Sequence, residues 1–191
     1  MQTSVGLQVP DSTRLQFRLL DAEDAELLFE LDQDEQVMQF INGGRKTSRS
    51  ELHERMLPRM LSYRDPHKGY GIWQVSTKAD YQPLPSEYLG WILVRPMGFF
   101  SATPATDDLE VGWRFKQIAW GKGFATEAAN AVMAVLSQQP QVHRFSAIAH
   151  PHNTASIAVM KKLGMQFIRQ GWHQDPLGTH EVVYYQKPAA N

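Results

Sequence analysis

Residues 120–128 read WGKGFATEA, and no other stretch of the chain constrains its fold as tightly. A strand-like segment, Leu109–Phe115 (LEVGWRF), precedes it. The clearest helical stripe follows, with Phe124, Ala128, Ala131 or Val132, and Val135 recurring at helical spacing until the neighbourhood of Pro140. A glycine-flanked turn from strand into helix presents the unpaired N–H groups of the first helical turn at the positive end of the helix dipole. Small residues let an anion approach those groups closely, and Lys122 adds positive charge beside them. A diphosphate suits such a turn, although the glycines alone would equally serve a tight connection. Two familiar phosphate fingerprints do not fit. A dinucleotide-binding motif needs a third small residue where Thr126 stands and an acidic residue about 20 positions on, and a P-loop needs four residues between its glycines and a following Lys-Ser/Thr.

The remaining chain alternates between periods. Leu15–Leu20 reads as a strand, and Asp21 as the N-cap of a helix in which Ala25, Leu28 and Leu31 repeat. Residues 33–47, with the Gly43-Gly44 pair, read as a turn-rich connector. Ser48 or Ser50 caps a second helix striped by Leu52, Met56 and Met60, which Pro58 should kink or split. Tyr70–Thr77 and Tyr88–Val94 are strand-like, and residues 96–107 form a loop. After the central helix come a strand at Arg144–Ala149, a short helix at Asn153–Leu163 stopped by Gly164, and strands at Met165–Gln170 and Val182–Gln186. The order describes one α+β domain on a mixed sheet, spanning residues 1–191 with its core at about 14–187. No repeat or second domain is evident.

Bulk properties remove several function classes. The 191 residues carry 42% hydrophobic and 20% charged side chains, enough for one sizeable core. Lys plus Arg total 19 against 20 acidic residues, so no basic excess exists to neutralise a nucleic-acid backbone. Cysteine is absent, which removes disulfides, thiolate metal sites and an acyl-enzyme thioester. Met1–Pro10 lacks the pattern of a secretory signal, and no apolar run approaches the roughly 18 residues of a membrane span. A cytoplasmic protein is the default expectation. His150 and His152 stand two apart without a matching carboxylate, so no metal is expected.

Residues 120–128 resemble the acetyl-coenzyme A (CoA) loop of the GNAT superfamily, (Gln/Arg)-x-x-Gly-x-(Gly/Ala). Gly123 and Ala125 fill the last two places and Trp120 stands in the first. The branch related to ribosomal-protein N-terminal (RimJ/RimL-like) acetyltransferases often writes this loop as Trp-Gly-Lys-Gly-(Phe/Tyr)-Ala-Thr-Glu-Ala. Residues 150–165, HPHNTASIAVMKKLGM, resemble the family's second signature, Asn-x-x-(Ala/Ser), a helix, then Leu-Gly-Phe, here Asn153, Ser156 and Leu163-Gly164-Met165. The likeness covers about residues 14–187. It implies a mixed, mostly antiparallel sheet of about seven strands, splayed in the middle, with about four helices. It also implies that the backbone of Gly121, Lys122, Gly123, Phe124, Ala125 and Thr126 holds the CoA pyrophosphate. Trp113, Arg114 and Phe115 would then pair with the pantetheine arm, which Asn153 and Ser156 face. Taken alone, Asn153 could equally be a plain helix cap and Ser156 a filler.

The implied reaction is sequential attack of a primary amine on the acetyl group, with a strand N–H polarising the carbonyl. An α-amine, with pKa roughly 7.7–8.0, is about a tenth neutral at pH 7, whereas a lysine side chain needs about 3 units more help. Glu110 is the candidate base, unless strand alternation points it to solvent. The family's usual tyrosine acid is replaced by Met160, which leaves Ser156 to hydrogen-bond the departing thiolate. His173 and Asp175 are placed on the final loop, and residues 33–48 and 171–181 would shape the acceptor pocket. The acceptor is a peptide N-terminus or a small molecule, and monomer or homodimer is open. Two other readings stay open: a non-catalytic acyl-CoA-binding module on the same fold, and a nucleotide-binding interaction protein.

Overall fold

Runs of β-branched and aromatic residues lay seven strands into one sheet: β1 (Leu15–Leu19), β2 (Gly71–Thr77), β3 (Tyr88–Met97), β4 (Ala105–Phe115), β5 (Arg144–Ala149), β6 (Gln166–Asp175) and β7 (Gly178–Pro188). These coordinates are a computed structural model that describes residues 6–189. Residues 1–5, part of the stretch read as lacking a signal, lie outside the described residues. The strand order is β1-β2-β3-β4-β5-β7-β6. Every neighbouring pair is antiparallel except β4 and β5.

Among the described residues six α-helical segments cover the sheet: α1 (Ala25–Leu31), α2 (Glu35–Asn42), α3 (Arg49–Glu51), α4 (Leu57–Tyr63), α5 (Phe124–Leu136) and α6 (Thr154–Lys162). Strand alternation sends Ile92, Val94, Leu109 and Val111 to one face, where they pack with Phe124, Ala128, Val132 and Leu136 of α5. The opposite face carries Ile72, Tyr88 and Trp91 beneath Leu28 and Leu31 of α1 and Met60 and Tyr63 of α4. Each large apolar side chain buried this way contributes roughly 1.5–3 kcal/mol. No helix among the described residues is long and apolar enough to cross a membrane.

The structure corrects four sequence expectations. Residues 33–47 are not merely a connector but contain α2. Asp34 caps it by accepting from the N–H groups of Gln36 and Val37, and Gly43 ends it in the left-handed conformation. Pro58 does not split the second helix. A π-helical turn, Leu52–Met56, joins α3 to α4, and Pro58 sits at the start of α4. The wider turn relieves the clash that a proline ring makes with the carbonyl one regular turn earlier. The loop read at 96–107 is shorter, because β3 reaches Met97 and β4 begins at Ala105. Finally, the segment after Met165 is a long hairpin whose strands meet at Asp175 and Gly178, so His173 and Asp175 lie on β6 and not on a loop.

The parallel pair places the site. β4 and β5 are in register only from Asp108 opposite Arg144 to Glu110 opposite Ser146. Beyond that point β4 continues along β3 to Phe115, while β5 continues along β7 to Ala149. The two strands part, and a gap opens between residues 111–115 and 147–149.

Candidate active site

The gap is lined by backbone donors. Lys116 N donates to Leu89 O at 2.8 Å, and the β3–β4 register is unbroken from Gly90 to Pro96. Because antiparallel bonds alternate, the N–H groups of Val111, Trp113 and Phe115 point away from β3; the parallel pairing of Glu110 with Ser146 uses Val111's, which leaves those of Trp113 and Phe115. They face the side where β5 has departed.

Both sequence signatures converge on this opening. Trp113 Nε1 donates to Ser156 Oγ at 3.3 Å across it. Ser156 N donates to Asn153 Oδ1 at 3.1 Å, so Asn153 caps α6. Met160 is buried in the core. That position presents no proton donor to the gap.

At the end of β4, Trp120 Nε1 donates to Phe115 O at 2.8 Å. An indole thus closes the strand and starts the turn. Gly121 and Gly123 have φ of 71° and 77°, in the left-handed region that side chains other than glycine's resist. Gly123 is the N-cap of α5, and no side chain caps the helix. The N–H groups of its first turn, Phe124, Ala125 and Thr126, are therefore left for an anion. Phe124 is buried beneath and fixes the helix start. Lys122 differs from expectation: its Nζ turns back to donate to Ile118 O at 2.7 Å.

A brace that sequence reasoning missed holds this turn from behind. Arg14 Nη1 donates to Lys122 O at 3.0 Å, and its Nε donates to Glu127 Oε2 at 2.6 Å. The guanidinium lies 4.1 Å over the Phe124 ring. Glu127 also accepts from Ser12 Oγ at 2.7 Å and from Arg14 N at 2.9 Å. Burial alone would push the Glu127 carboxyl up, but these hydrogen bonds outweigh it and hold the group below the usual carboxylate range. Glu127 was visible inside WGKGFATEA; its partner 113 residues away was not.

On the face away from α5, Glu110, Gly112 and Arg114 follow one another at strand spacing. Glu110 does not point to solvent. It is buried, and its two oxygens accept from Arg95 Nε at 2.7 Å and Arg95 Nη2 at 3.1 Å. Both oxygens of the base expected from sequence are thus occupied by a guanidinium. Arg114 pairs with buried Asp32, and Arg59 on α4 pairs with Asp175 at 2.8 Å. A cleft of about 70 Å³ lies among Asp32, Arg59, Tyr63, Trp91, Arg114 and Leu177. Of the segments assigned to the acceptor pocket, 171–181 supplies Asp175 and Leu177. Residues 33–48 supply Phe40 of α2, whose ring stacks 5.5 Å from His150 at the end of β5. His173 Nδ1 meets Tyr184 Oη at 3.2 Å. Among the described residues no group of three or more His, Asp or Glu side chains could hold a metal.

Comparison with known proteins bears on the family and the fold. The family model described as an acetyltransferase (GNAT) domain matches residues 14–166. The uncharacterized protein YkkB of Bacillus subtilis (strain 168) is 30% identical over 122 residues, which cover 62% of this chain and 65% of that one. The chain spans less than two thirds of the length of the curated relatives it matches. RimL, a ribosomal L7/L12 alpha-N-protein acetyltransferase solved with coenzyme A, superposes with a TM-score of 0.68 at 17% identity, covering 94% of this chain and 97% of that one. An aminoglycoside acetyltransferase solved with coenzyme A gives 0.66 at 20% identity over 91% and 94%.

Proposed function

The chain belongs to the GNAT acetyltransferases, and from that premise we propose that it is an acetyl-CoA-dependent N-acetyltransferase acting on a primary amine. The acceptor is a protein N-terminal α-amine, as the RimJ/RimL-like form of the glycine loop suggests, or a small-molecule amine. One observation carries this reading: β4 leaves β5 after Glu110, beside a helix N-terminus with no side-chain cap. The two features together offer one continuous set of backbone donors, from the strand N–H groups to the first turn of α5.

In this reading the backbone of Gly121–Thr126 holds the CoA diphosphate, and Arg14 keeps that turn in shape. The N–H groups of Trp113 and Phe115 bond the pantetheine arm and orient the acyl group, with a strand N–H polarising its carbonyl. Acetyl-CoA supplies an activated thioester: the amine nitrogen bonds to the acetyl carbon, the C–S bond breaks, and the proton lost from nitrogen passes to solvent. Ser156, fixed by Trp113 and by its place on α6, orients the departing sulfur. Met160 leaves no tyrosine to act as acid. An α-amine asks little of a base, since its pKa is roughly 7.7–8.0. Glu110, bound to Arg95, contributes by holding that guanidinium and any proton-carrying water beside β4.

The test is a CoA-release assay with acetyl-CoA and a panel of peptides, amino acids, polyamines and aminoglycosides. Turnover with at least one amine is expected. A protein that binds acetyl-CoA and releases no CoA with any of them would instead be an acyl-CoA-binding module, a reading that the loss of the tyrosine at Met160 favours.

A further inference from the structure

The cleft beside β4 is unusual in what it leaves unbonded. Among the described residues five buried side-chain nitrogen or oxygen atoms have no hydrogen-bond partner, and four of them gather here: Arg59 Nε, Arg95 Nη1, Arg114 Nε and Trp91 Nε1. Arg59, Trp91 and Arg114 line the cleft directly. Arg95 stacks 5.3 Å from the ring of Tyr63, which also lines it. The fifth atom, Asp108 Oδ1, belongs to another cluster, where Asp108 accepts from Ser146 and Gln186.

All four unbonded groups at the cleft are donors, and three of them belong to guanidiniums. Each arginine already has one carboxylate, from Asp175, Glu110 or Asp32. The cluster is therefore balanced in charge while still short of acceptors. Buried donors are normally satisfied, so a concentration of exceptions in one cavity calls for a ligand that accepts. Burial and the nearby charge of Arg95 both hold the Arg59 guanidinium below its ordinary value, a strain that an added anion would relieve. Leu28, Leu52, Met56 and Leu93 complete an apolar wall, which strengthens any charge pairing inside. The volume, about 70 Å³, compares with about 30 Å³ for one water in the liquid. It accommodates a small planar group. Planar guanidiniums favour carboxylate.

We propose that this cleft binds a carboxylate, so that the acceptor is an amine carrying an acidic group. This rests on the acetyltransferase reading above. Glu110, Gly112 and Arg114 lie on the cleft face of the strand whose other edge borders the gap, which brings the acid-binding cluster next to the acyl site. Cationic acceptors such as polyamines and aminoglycosides would meet unpaired guanidinium N–H groups and carboxylates already paired with arginine.

The experiment compares matched acceptors in the CoA-release assay: glutamate against glutamine α-amide, and peptides beginning Asp-Glu against Asn-Gln, with spermidine and kanamycin as cations. The free amino acids and the peptides distinguish the two sources of the carboxylate. An advantage of tenfold or more in kcat/KM for an acidic member of a pair is expected. Arg59→Gln should erase it through KM, whereas Asp175→Asn, which frees Arg59, should enlarge it; a merely structural role would move both variants the same way. Equal or better turnover of the neutral or cationic amines overturns the carboxylate site while leaving the acetyltransferase reading intact. If acetyl-CoA is not used at all, that reading fails, and melting with glutarate decides the site separately. A rise in Tm that Arg59→Gln abolishes supports it, and no rise overturns it.

Discussion

Replacing Gly123 with glutamate tests the diphosphate site at its centre, because the fold and the ligand should respond very differently. Gly123 has a φ of 77°, and a Cβ added there would meet only Arg14 Nη2 at 3.5 Å, an ordinary contact. The fold therefore loses the left-handed penalty, roughly 1–2 kcal/mol, and no packing. For a domain of this size that lowers Tm by about 2–8 °C. Ligand binding should suffer far more. The new carboxylate would stand at the uncapped start of α5, where the diphosphate is expected. One unit charge about 4 Å from another at an effective dielectric constant near 20 costs about 4 kcal/mol. At 1.4 kcal/mol per decade this is about a thousandfold in Kd. Gly123→Ala carries the same backbone strain without the charge and serves as the control, with a loss within about tenfold. Titration calorimetry with CoA, alongside melting curves, measures both effects. A folded Gly123→Glu protein that binds CoA like the parent would refute the site, and so would equal losses in the glutamate and alanine variants.

Other residues separate further parts of the reasoning. Arg14→Ala removes charge-assisted bonds to Glu127 and the Lys122 carbonyl, each about 1.5–3 kcal/mol, and should lower both Tm and CoA affinity. Unchanged calorimetric affinity would mean that Arg14 does not brace the loop. Ser156→Ala should cut kcat about tenfold or less, the effect of lost orientation, whereas loss of true acid catalysis costs about 10²–10⁴; steady-state CoA release decides between them. Burial holds the Asp108 carboxyl above the ordinary carboxylate range despite bonds from Ser146 and Gln186. A raised folded pKa means that the folded state binds the proton more tightly, so this group's contribution to stability falls as pH rises through that pKa. Asp108→Asn should therefore gain on the parent at neutral pH in urea melts, with the difference shrinking as pH falls toward the ordinary carboxylate range. A difference independent of pH would show that Asp108 is not perturbed.

The two halves of the site were legible to different degrees, for a physical reason. CoA is expected to be held by main-chain N–H groups, and what a main chain presents depends on local geometry. A glycine at a left-handed position, a helix start and a parting strand leave their marks within a short stretch, so residues 109–126 could be read directly. Even there the side chains went astray: Lys122 turns back to Ile118, and the Arg14 brace comes from the residue just before the sheet's first strand. The Gly43-Gly44 pair marks a turn in the sequence, but with the Asp34 cap it bounds α2 instead of replacing it. A cap and a stop on an eight-residue helix look, in one dimension, much like a loop.

The acceptor side depends on side chains and on long-range pairing. Arg59 meets Asp175 across 116 positions, and Arg114 meets Asp32 across 82. No periodicity connects such partners, and a lone arginine in sequence gives no sign that it will be buried. Glu110 shows the consequence. Its residue type and strand position suggested a base, and the opposing strand supplied Arg95 to occupy both oxygens. Backbone recognition can keep its form while the side chains across β4 change, so one loop sequence is compatible with many acceptors. The unpaired donors of Arg59, Arg95, Arg114 and Trp91 are therefore a better guide to this acceptor than the loop sequence that identifies the family.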